Sequence, residues 1–171
     1  MVVQTCALPA QSLLIGYCRG GGYADCFVIE TEARISLARY VEAFYTSWLF
    51  KLERLVLTLA SRPSSDLQAV DLAAGRGCAF AAWDVESRAV DQLLMRDITG
   101  RTRSWFMVVP AAGGTRLYFG SAVTAKRYRT TGPATVGPVF RALVRFHGLY
   151  SRALLAAARR RLQRHAELVN L

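Results

Sequence analysis

CAFAAWDVESRAVDQLLMRDITGRTRSWFMVVPAAGGTRLYFGSAVTAK, residues Cys78–Lys126, divides into four segments of strand character. They are Cys78–Glu86, Val90–Ile98, Thr102–Val109 and Arg116–Lys126, and three of them carry an aromatic residue in mid-strand: Trp83, Trp105 and Phe119. Turn chemistry, Thr99-Gly100 and then Pro110-Ala111-Ala112-Gly113-Gly114, separates the last three. Four strands in succession with short turns make an antiparallel meander. Such a sheet has a face to bury, and the helices that flank it in sequence must supply the cover.

Working outward, Tyr23–Glu32 alternates as a further strand, with Tyr23, Asp25, Phe27 and Ile29 on one face. Ser36 is placed to cap a helix. Leu37, Tyr40, Val41, Phe44, Trp48, Leu52, Leu55, Val56 and Leu59 follow at steps of three and four, an amphipathic stripe. Tyr45-Thr46-Ser47-Trp48 is poor helix-forming sequence, so two helices or a bend near Thr46 are expected, ending at Arg62-Pro63. Ser64-Ser65-Asp66 opens a short helix, Leu67–Ala74, which Gly75 stops. After the meander, Thr130–Pro138 reads as a loop, and a last helix runs from about Val139 to at least Leu162. Residues 1–22 read as a lead-in and residues 23–171 as one domain. Gly20-Gly21-Gly22 is a break, because no Gly-Lys-Ser/Thr follows to make a phosphate loop.

Register decides which strand residues are inside. A two-residue loop at Thr99-Gly100 sets Arg96 against Arg103, a like-charge pair that destabilises. A three-residue loop sets Asp97 against Arg103 and Met95 against Trp105, and is preferred on that ground. A five-residue loop, Pro110–Gly114, then sets Trp105 against Phe119 and Arg103 against Ser121. The inner face so obtained carries Trp83, Leu93, Met95, Trp105, Met107, Leu117, Phe119 and Val123, with Asp97, Arg103 and Ser121 grouped among them. The outer face carries Phe106, Val108 and Tyr118, an apolar patch from which a homodimer is expected. On the last helix Arg141, Arg145, Arg152 and Arg159 fall within roughly 40° of one another. Phe140, Leu143, His147, Tyr150, Leu154 and Ala158 lie opposite.

The chain of 171 residues is 53% hydrophobic and 20% charged, enough for one buried core and unlike a disordered segment. Its formal net charge is +10, and all but Lys51 and Lys126 of the 22 basic residues are arginines. That balance suits an anionic partner, or a genome whose codons favour Arg and Ala. No run of about 18 apolar residues forms a transmembrane segment, and Met1–Gln11 lacks the basic start of a signal peptide. Cys6, Cys18, Cys26 and Cys78 match no CxxC or zinc-ribbon spacing and read as reduced thiols of a cytoplasmic protein. His147 and His165, without neighbouring carboxylates, make no metal site, and no cofactor is expected.

The order of elements resembles the START-like, or helix-grip (SRPBCC), superfamily of ligand-binding proteins and polyketide cyclases. Val41-Glu42-Ala43-Phe44-Tyr45 through Phe50-Lys51-Leu52-Glu53-Arg54, and Gly100-Arg101-Thr102-Arg103-Ser104-Trp105 with Tyr118-Phe119-Gly120-Ser121, look like a bacterial family of uncharacterised proteins within it. The resemblance covers about Tyr23 to Leu162. It implies an α+β helix-grip fold, a curved antiparallel sheet wrapped around a long C-terminal helix, with a cavity between them for a small hydrophobic molecule. Five strands are clear, fewer than the seven of that pattern. The superfamily has no universal catalytic motif, so no catalytic residue is carried over, and whether the chain is an enzyme stays open.

The cavity lining is expected from Trp83, Met95, Asp97, Arg103, Trp105, Phe119, Ser121, His147 and Tyr150, large side chains with a few polar groups among them. The same set would also make an ordinary core. One alternative is a cyclase or dehydratase in the same cavity, with His147 as acid or base and Asp97 and Arg103 orienting the substrate. Another is a basic module for nucleic acid or anionic lipid. Nucleic acid is not expected, because no stacking aromatics interleave the arginine stripe.

Overall fold

The structure is a computed structural model that describes residues 2–19, 23–124 and 138–169; for 18–19, 138–146 and 165–169 it describes the backbone alone. The elements run β1 (Gln4–Thr5), α1 (Ile15–Arg19), β2 (Tyr23–Thr31), α2 (Leu37–Tyr45), α3 (Trp48–Leu59), α4 (Asp66–Ala73), β3 (Ala79–Phe80), β4 (Trp83–Arg88), β5 (Gln92–Asp97), β6 (Thr102–Ala111), β7 (Gly114–Val123) and α5 (Pro138–Val169). The fold is α+β. Seven antiparallel strands in the order β1-β2-β7-β6-β5-β4-β3 form an open sheet, and a long C-terminal helix follows it. The two strands beyond the five clear in the sequence, β1 and β3, are each two residues long.

The helix boundaries follow local chemistry. Ser36 caps α2 by accepting from the Arg39 N–H. Thr46 closes it and Ser47 caps α3, so the break expected near Thr46 is a change of helix. Ser65 and Gln68 form a reciprocal capping box on α4. Gly75, with φ +79°, ends that helix in the left-handed region.

One face of the sheet carries Phe27, Ile29, Leu93, Met95, Phe106, Val108, Leu117 and Phe119, all buried against α2, α4 and α5. Phe44 of α2 packs edge-on to Phe106 at 4.8 Å and beside Phe119 at 4.8 Å; Tyr45 meets Phe80 and Phe50 at the same spacing. Aromatic rings therefore fill the space between α2 and the sheet. The opposite face carries Cys26, Leu94, Trp105, Met107 and Ala122, and residues of the N-terminal segment, Leu14 above all, cover it. Gly120 makes room there. A Cβ at that position would lie 3.0 Å from the Trp105 ring and 3.1 Å from Leu14.

The register differs from the expected one by a single residue on both sides of β6. Arg96 does lie opposite Arg103, and Met95 opposite Ser104. Trp105 faces Gly120, Phe106 faces Phe119 and Ser104 faces Ser121, across a two-residue Ala112-Gly113 turn. A one-residue shift turns every β6 side chain over. Arg103, Trp105 and Met107 thus leave the helix face, and Phe106 and Val108 enter the core, so the outer apolar patch from which a homodimer was expected does not form. The like-charge pair is tolerated because β4 supplies counter-ions: Asp84 pairs with Arg96 at 3.9 Å and Glu86 with Arg103 at 2.7 Å. An irregularity between Val85 and Ser87 sets the β4–β5 register at Glu86.

Helix α3 also departs from its periodicity. Trp48, Leu52, Leu55, Val56 and Leu59 lie within about 100° on the helix, yet they are exposed, while Phe50 on the opposite side is buried. Arg54 and Lys51 hold α3 to the start of α4 through Asp66. Among the described residues, no helix is long and apolar enough to cross a membrane.

Candidate functional site

The polar group nearest to a built site lies on the helix face where β2 and β7 meet α5. Asp25 and Ser121 are paired across the two strands. Asp25 Oδ1 accepts from the Ser121 backbone N–H at 2.9 Å and from its hydroxyl at 2.7 Å. His147 Nε2, arriving from α5, is 2.7 Å from the same hydroxyl and 3.8 Å from Asp25 Oδ2. The Asp25 side chain is 8% exposed and His147 48%, so the carboxylate is buried and the imidazole meets solvent. Asp25 Oδ2 is buried and has no hydrogen-bond partner. A buried carboxylate oxygen without a hydrogen bond is costly, and the nearest donor to it is His147 Nε2 at 3.8 Å.

The donor order excludes a nucleophilic triad. Ser121 has one hydroxyl proton, and the carboxylate, which can only accept, takes it. Nε2 then donates to the hydroxyl. In a Ser-His-Asp triad the imidazole accepts from the serine and gives its other nitrogen's proton to the aspartate. Here Asp25 and Ser121 both face Nε2.

A second pair stands beside the first. The Tyr150 hydroxyl donates to Glu53 Oε2 at 2.5 Å, joining α5 to α3. Burial pushes the Glu53 carboxyl above its usual range, although the Tyr150 hydrogen bond and the charge of His147 pull the other way. Burial, then the adjacent Glu53, raise the Tyr150 phenol. The site therefore offers an unpaired carboxylate oxygen, an exposed imidazole and a carboxyl that keeps its proton to higher pH than usual.

The expected cavity residues fall in three places. Ser121, His147 and Tyr150 meet here, and Phe119 lies on the same face two residues along β7 from Ser121. Met95 is fully buried on that face and Trp83 packs at its edge. Asp97, Arg103 and Trp105 are elsewhere. Asp97 holds the β5–β6 turn: Oδ1 accepts the N–H groups of Arg101 and Thr102, and the Thr99 hydroxyl bonds Oδ2. Burial raises its carboxyl, but those donors prevail and bring it below the usual range. Arg103 is on the other face, stacked 4.7 Å from the Tyr17 ring and bonded to Glu86. Trp105 donates to Gln92 Oε1 beneath the N-terminal segment. The grouping of Asp97, Arg103 and Ser121 is thereby corrected: three different surroundings hold them.

Asp25 and Glu53 were missed in the sequence, though both left a signal. Asp25 shares a strand face with Phe27 and Ile29, an odd place for a charge. Glu53 stands three residues after Phe50, on the side of α3 that is buried. Of the arginine stripe on α5, Arg141 and Arg145 lie outside the described side chains. Arg152 reaches the Thr5 hydroxyl and lies 5.5 Å over the Phe27 ring. An open groove of about 410 Å³ runs along the sheet edge, walled by Val2, Gln4, Val28, Glu30, Arg116 and Tyr118; it includes none of the Asp25 cluster. Among the described residues no three His, Cys, Asp or Glu side chains converge to hold a metal ion.

No protein-family model matches the chain, and no curated protein matches it. Among solved structures, it is similar to a structural-genomics protein from Rhodobacter sphaeroides, with 14% identity, a TM-score of 0.43 and 99% of each chain covered. It is also similar to CalU16 from Micromonospora echinospora, with 14% identity, a TM-score of 0.34, and coverage of 99% of this chain and 97% of the other. These likenesses assign no activity.

Proposed function

We propose that the chain is a START-like, helix-grip protein that binds a small, mainly apolar molecule bearing a hydroxyl or amine. Its polar end is held by Asp25, Ser121 and His147, with Glu53 and Tyr150 alongside and Phe119 beneath. One observation carries this reading: Asp25 Oδ2 is buried without a partner next to an exposed imidazole. An unpaired acceptor in a desolvated corner selects a donor, and selects against a carboxylate, which like charge would repel. The sheet with a long helix crossing it suits such a ligand.

The test is a pair of fluorescent probes that share a naphthyl-alkyl tail and differ only in an amine or a carboxylate head. The amine probe is expected to bind the folded chain at one site and to be displaced by unlabelled alkylamine. Ser121→Ala and His147→Ala should each weaken it. Equal affinity for both heads, or binding that Asp25→Asn leaves unchanged, sinks the assignment.

A second reading is an acid–base enzyme in the same place. The Glu53 carboxyl beside His147 favours it, because burial raises that carboxyl above its usual range and a raised carboxyl next to an imidazole is the pairing a general acid and base need. It differs from the cyclase or dehydratase expected from sequence in its partners, since Glu53 and Asp25 take the places given to Asp97 and Arg103. Turnover of a bound hydroxy-ketone to its dehydrated product, lost in both Glu53→Gln and His147→Ala, distinguishes catalysis from carriage.

A further inference from the structure

Cys6 and Cys26 are twenty residues apart in sequence and face each other in the fold. The β1–β2 register, Gln4 with Val28 and Thr5 with Phe27, sets Cys6 opposite Cys26 at the next step. The Cys6 N–H donates to the Cys26 carbonyl at 3.0 Å, so the ladder continues through this pair. Their sulfurs are 3.3 Å apart and both are free thiols. Hydrogen-bonded antiparallel neighbours have Cα atoms about 5.5 Å apart, inside the range of about 4.4–6.8 Å that a disulfide spans. Both side chains belong to the same sheet face, the one that Leu14 and Trp105 fill. Joining them needs the sulfurs to close from 3.3 Å to about 2.05 Å.

We propose that Cys6 and Cys26 are an oxidation site, a thiol pair that closes to a cross-strand disulfide and locks the N-terminal strand onto β2. The oxidant is a small-molecule disulfide. Cys6 is half-buried and Cys26 is 2% exposed, so the first attack falls to Cys6. The Cys6 thiolate attacks the small disulfide, forms a mixed disulfide and expels one thiol. The Cys26 thiolate then attacks the Cys6 sulfur and expels the second. Two protein thiols are oxidised, one small disulfide is reduced to two thiols, and the two protons end on those leaving thiols. Burial first, and after it the donation of the Cys26 S–H to the Cys6 sulfur, hold Cys26 as a thiol, which slows the second step relative to an exposed cysteine.

The lock acts on defined contacts. Gln4 of β1 and Val2 just before it wall the edge groove, and the segment that follows carries Leu14 onto Trp105. Closing a loop of this length restricts the unfolded chain enough to raise the folding equilibrium constant on the order of a hundredfold.

The experiment treats the reduced full chain with oxidised glutathione, quenches in acid, alkylates and maps the peptides by mass. A Cys6–Cys26 linked peptide is expected as the main intramolecular product, with an intact mass lower by two hydrogens. It should persist in Cys78→Ser, vanish in Cys6→Ser, and lose its dominance when the reaction is run in concentrated urea. A glutathione adduct that stays on Cys6 while Cys26 remains alkylatable overturns the proposal, as does a link to Cys18 or Cys78 as the main product. Wild-type mapping decides the matter even if Cys6→Ser folds poorly.

Discussion

Asp25→Asn separates a carboxylate kept for binding from one kept for structure. In the wild type, Oδ1 accepts two hydrogen bonds from Ser121 and Oδ2 accepts none. The amide oxygen of the substituted residue can take over both Ser121 bonds. Each changes from a bond to a charged acceptor, about 1.5–3 kcal/mol, to a neutral one, about 0.5–1.5 kcal/mol, a loss of about 2 kcal/mol for the pair. The His147 contact at 3.8 Å to a half-exposed ring adds a loss of under about 1 kcal/mol. Against this, the buried charge disappears, but the amide NH2 that takes the place of Oδ2 is left as unpartnered as the oxygen was, so the gain is only about 1 kcal/mol. The net change in stability is therefore a modest loss of about 1–2 kcal/mol. Asp25→Ala, which strands the Ser121 N–H and hydroxyl, should cost about 2–4 kcal/mol. Affinity for the amine-headed probe should fall about 10- to 100-fold in Asp25→Asn, equal to about 1.4–2.8 kcal/mol. Urea unfolding at neutral pH with unchanged m-value measures the first quantity, and fluorescence titration measures the second. A destabilisation above about 2 kcal/mol with unchanged probe affinity would refute the reasoning and make Asp25 a structural residue.

Three further outcomes follow from the packing. Gln92 accepts from the Leu13 N–H at 3.0 Å and from Trp105 Nε1 at 2.8 Å, and donates to the Gln11 carbonyl at 3.1 Å; Gln92→Leu should cost about 2–4 kcal/mol and open the N-terminal segment to protease before the sheet unfolds. Phe50→Ala should cost about 3–5 kcal/mol, whereas Leu52→Ser and Leu55→Ser should each stay within about 0.5 kcal/mol, and the reverse order in thermal unfolding would place the apolar stripe of α3 inside. The Glu53 carboxyl has a folded-state pKa above its unfolded value near 4.3, so its favourable contribution is complete below about pH 4 and is lost as pH rises through the folded value. Glu53→Gln should therefore gain stability relative to the wild type as pH rises above the unfolded value, and an unchanged difference in urea midpoints across that rise would contradict burial as the cause.

The sequence by itself determined the longer elements, though not β1, α1 or β3. Caps at Ser36, Ser47 and Ser65 and the left-handed glycine at Gly75 end and begin helices through interactions within a few residues, so the chain states them locally. Period-two alternation likewise separated the two faces of β2, β5 and β7 correctly, including the placement of Asp25 with Phe27. Tertiary structure alone decided which face of β6 is inward. That strand is apolar on both sides, Phe106 and Val108 on one, Trp105 and Met107 on the other, because helices cover one face and the N-terminal segment the other. Hydrophobicity then cannot choose, and charge pairing chose wrongly, since Asp84 and Glu86 come from β4, whose pairing the β5–β6 hairpin does not contain. The same holds for the site. Ser121, His147 and Tyr150 could be named one by one from their positions on apolar faces. Their meeting with Asp25 and Glu53 joins residues up to 122 positions apart in the chain, Asp25 and His147, and only the docking of α5 on β2 and α3 brings them within reach.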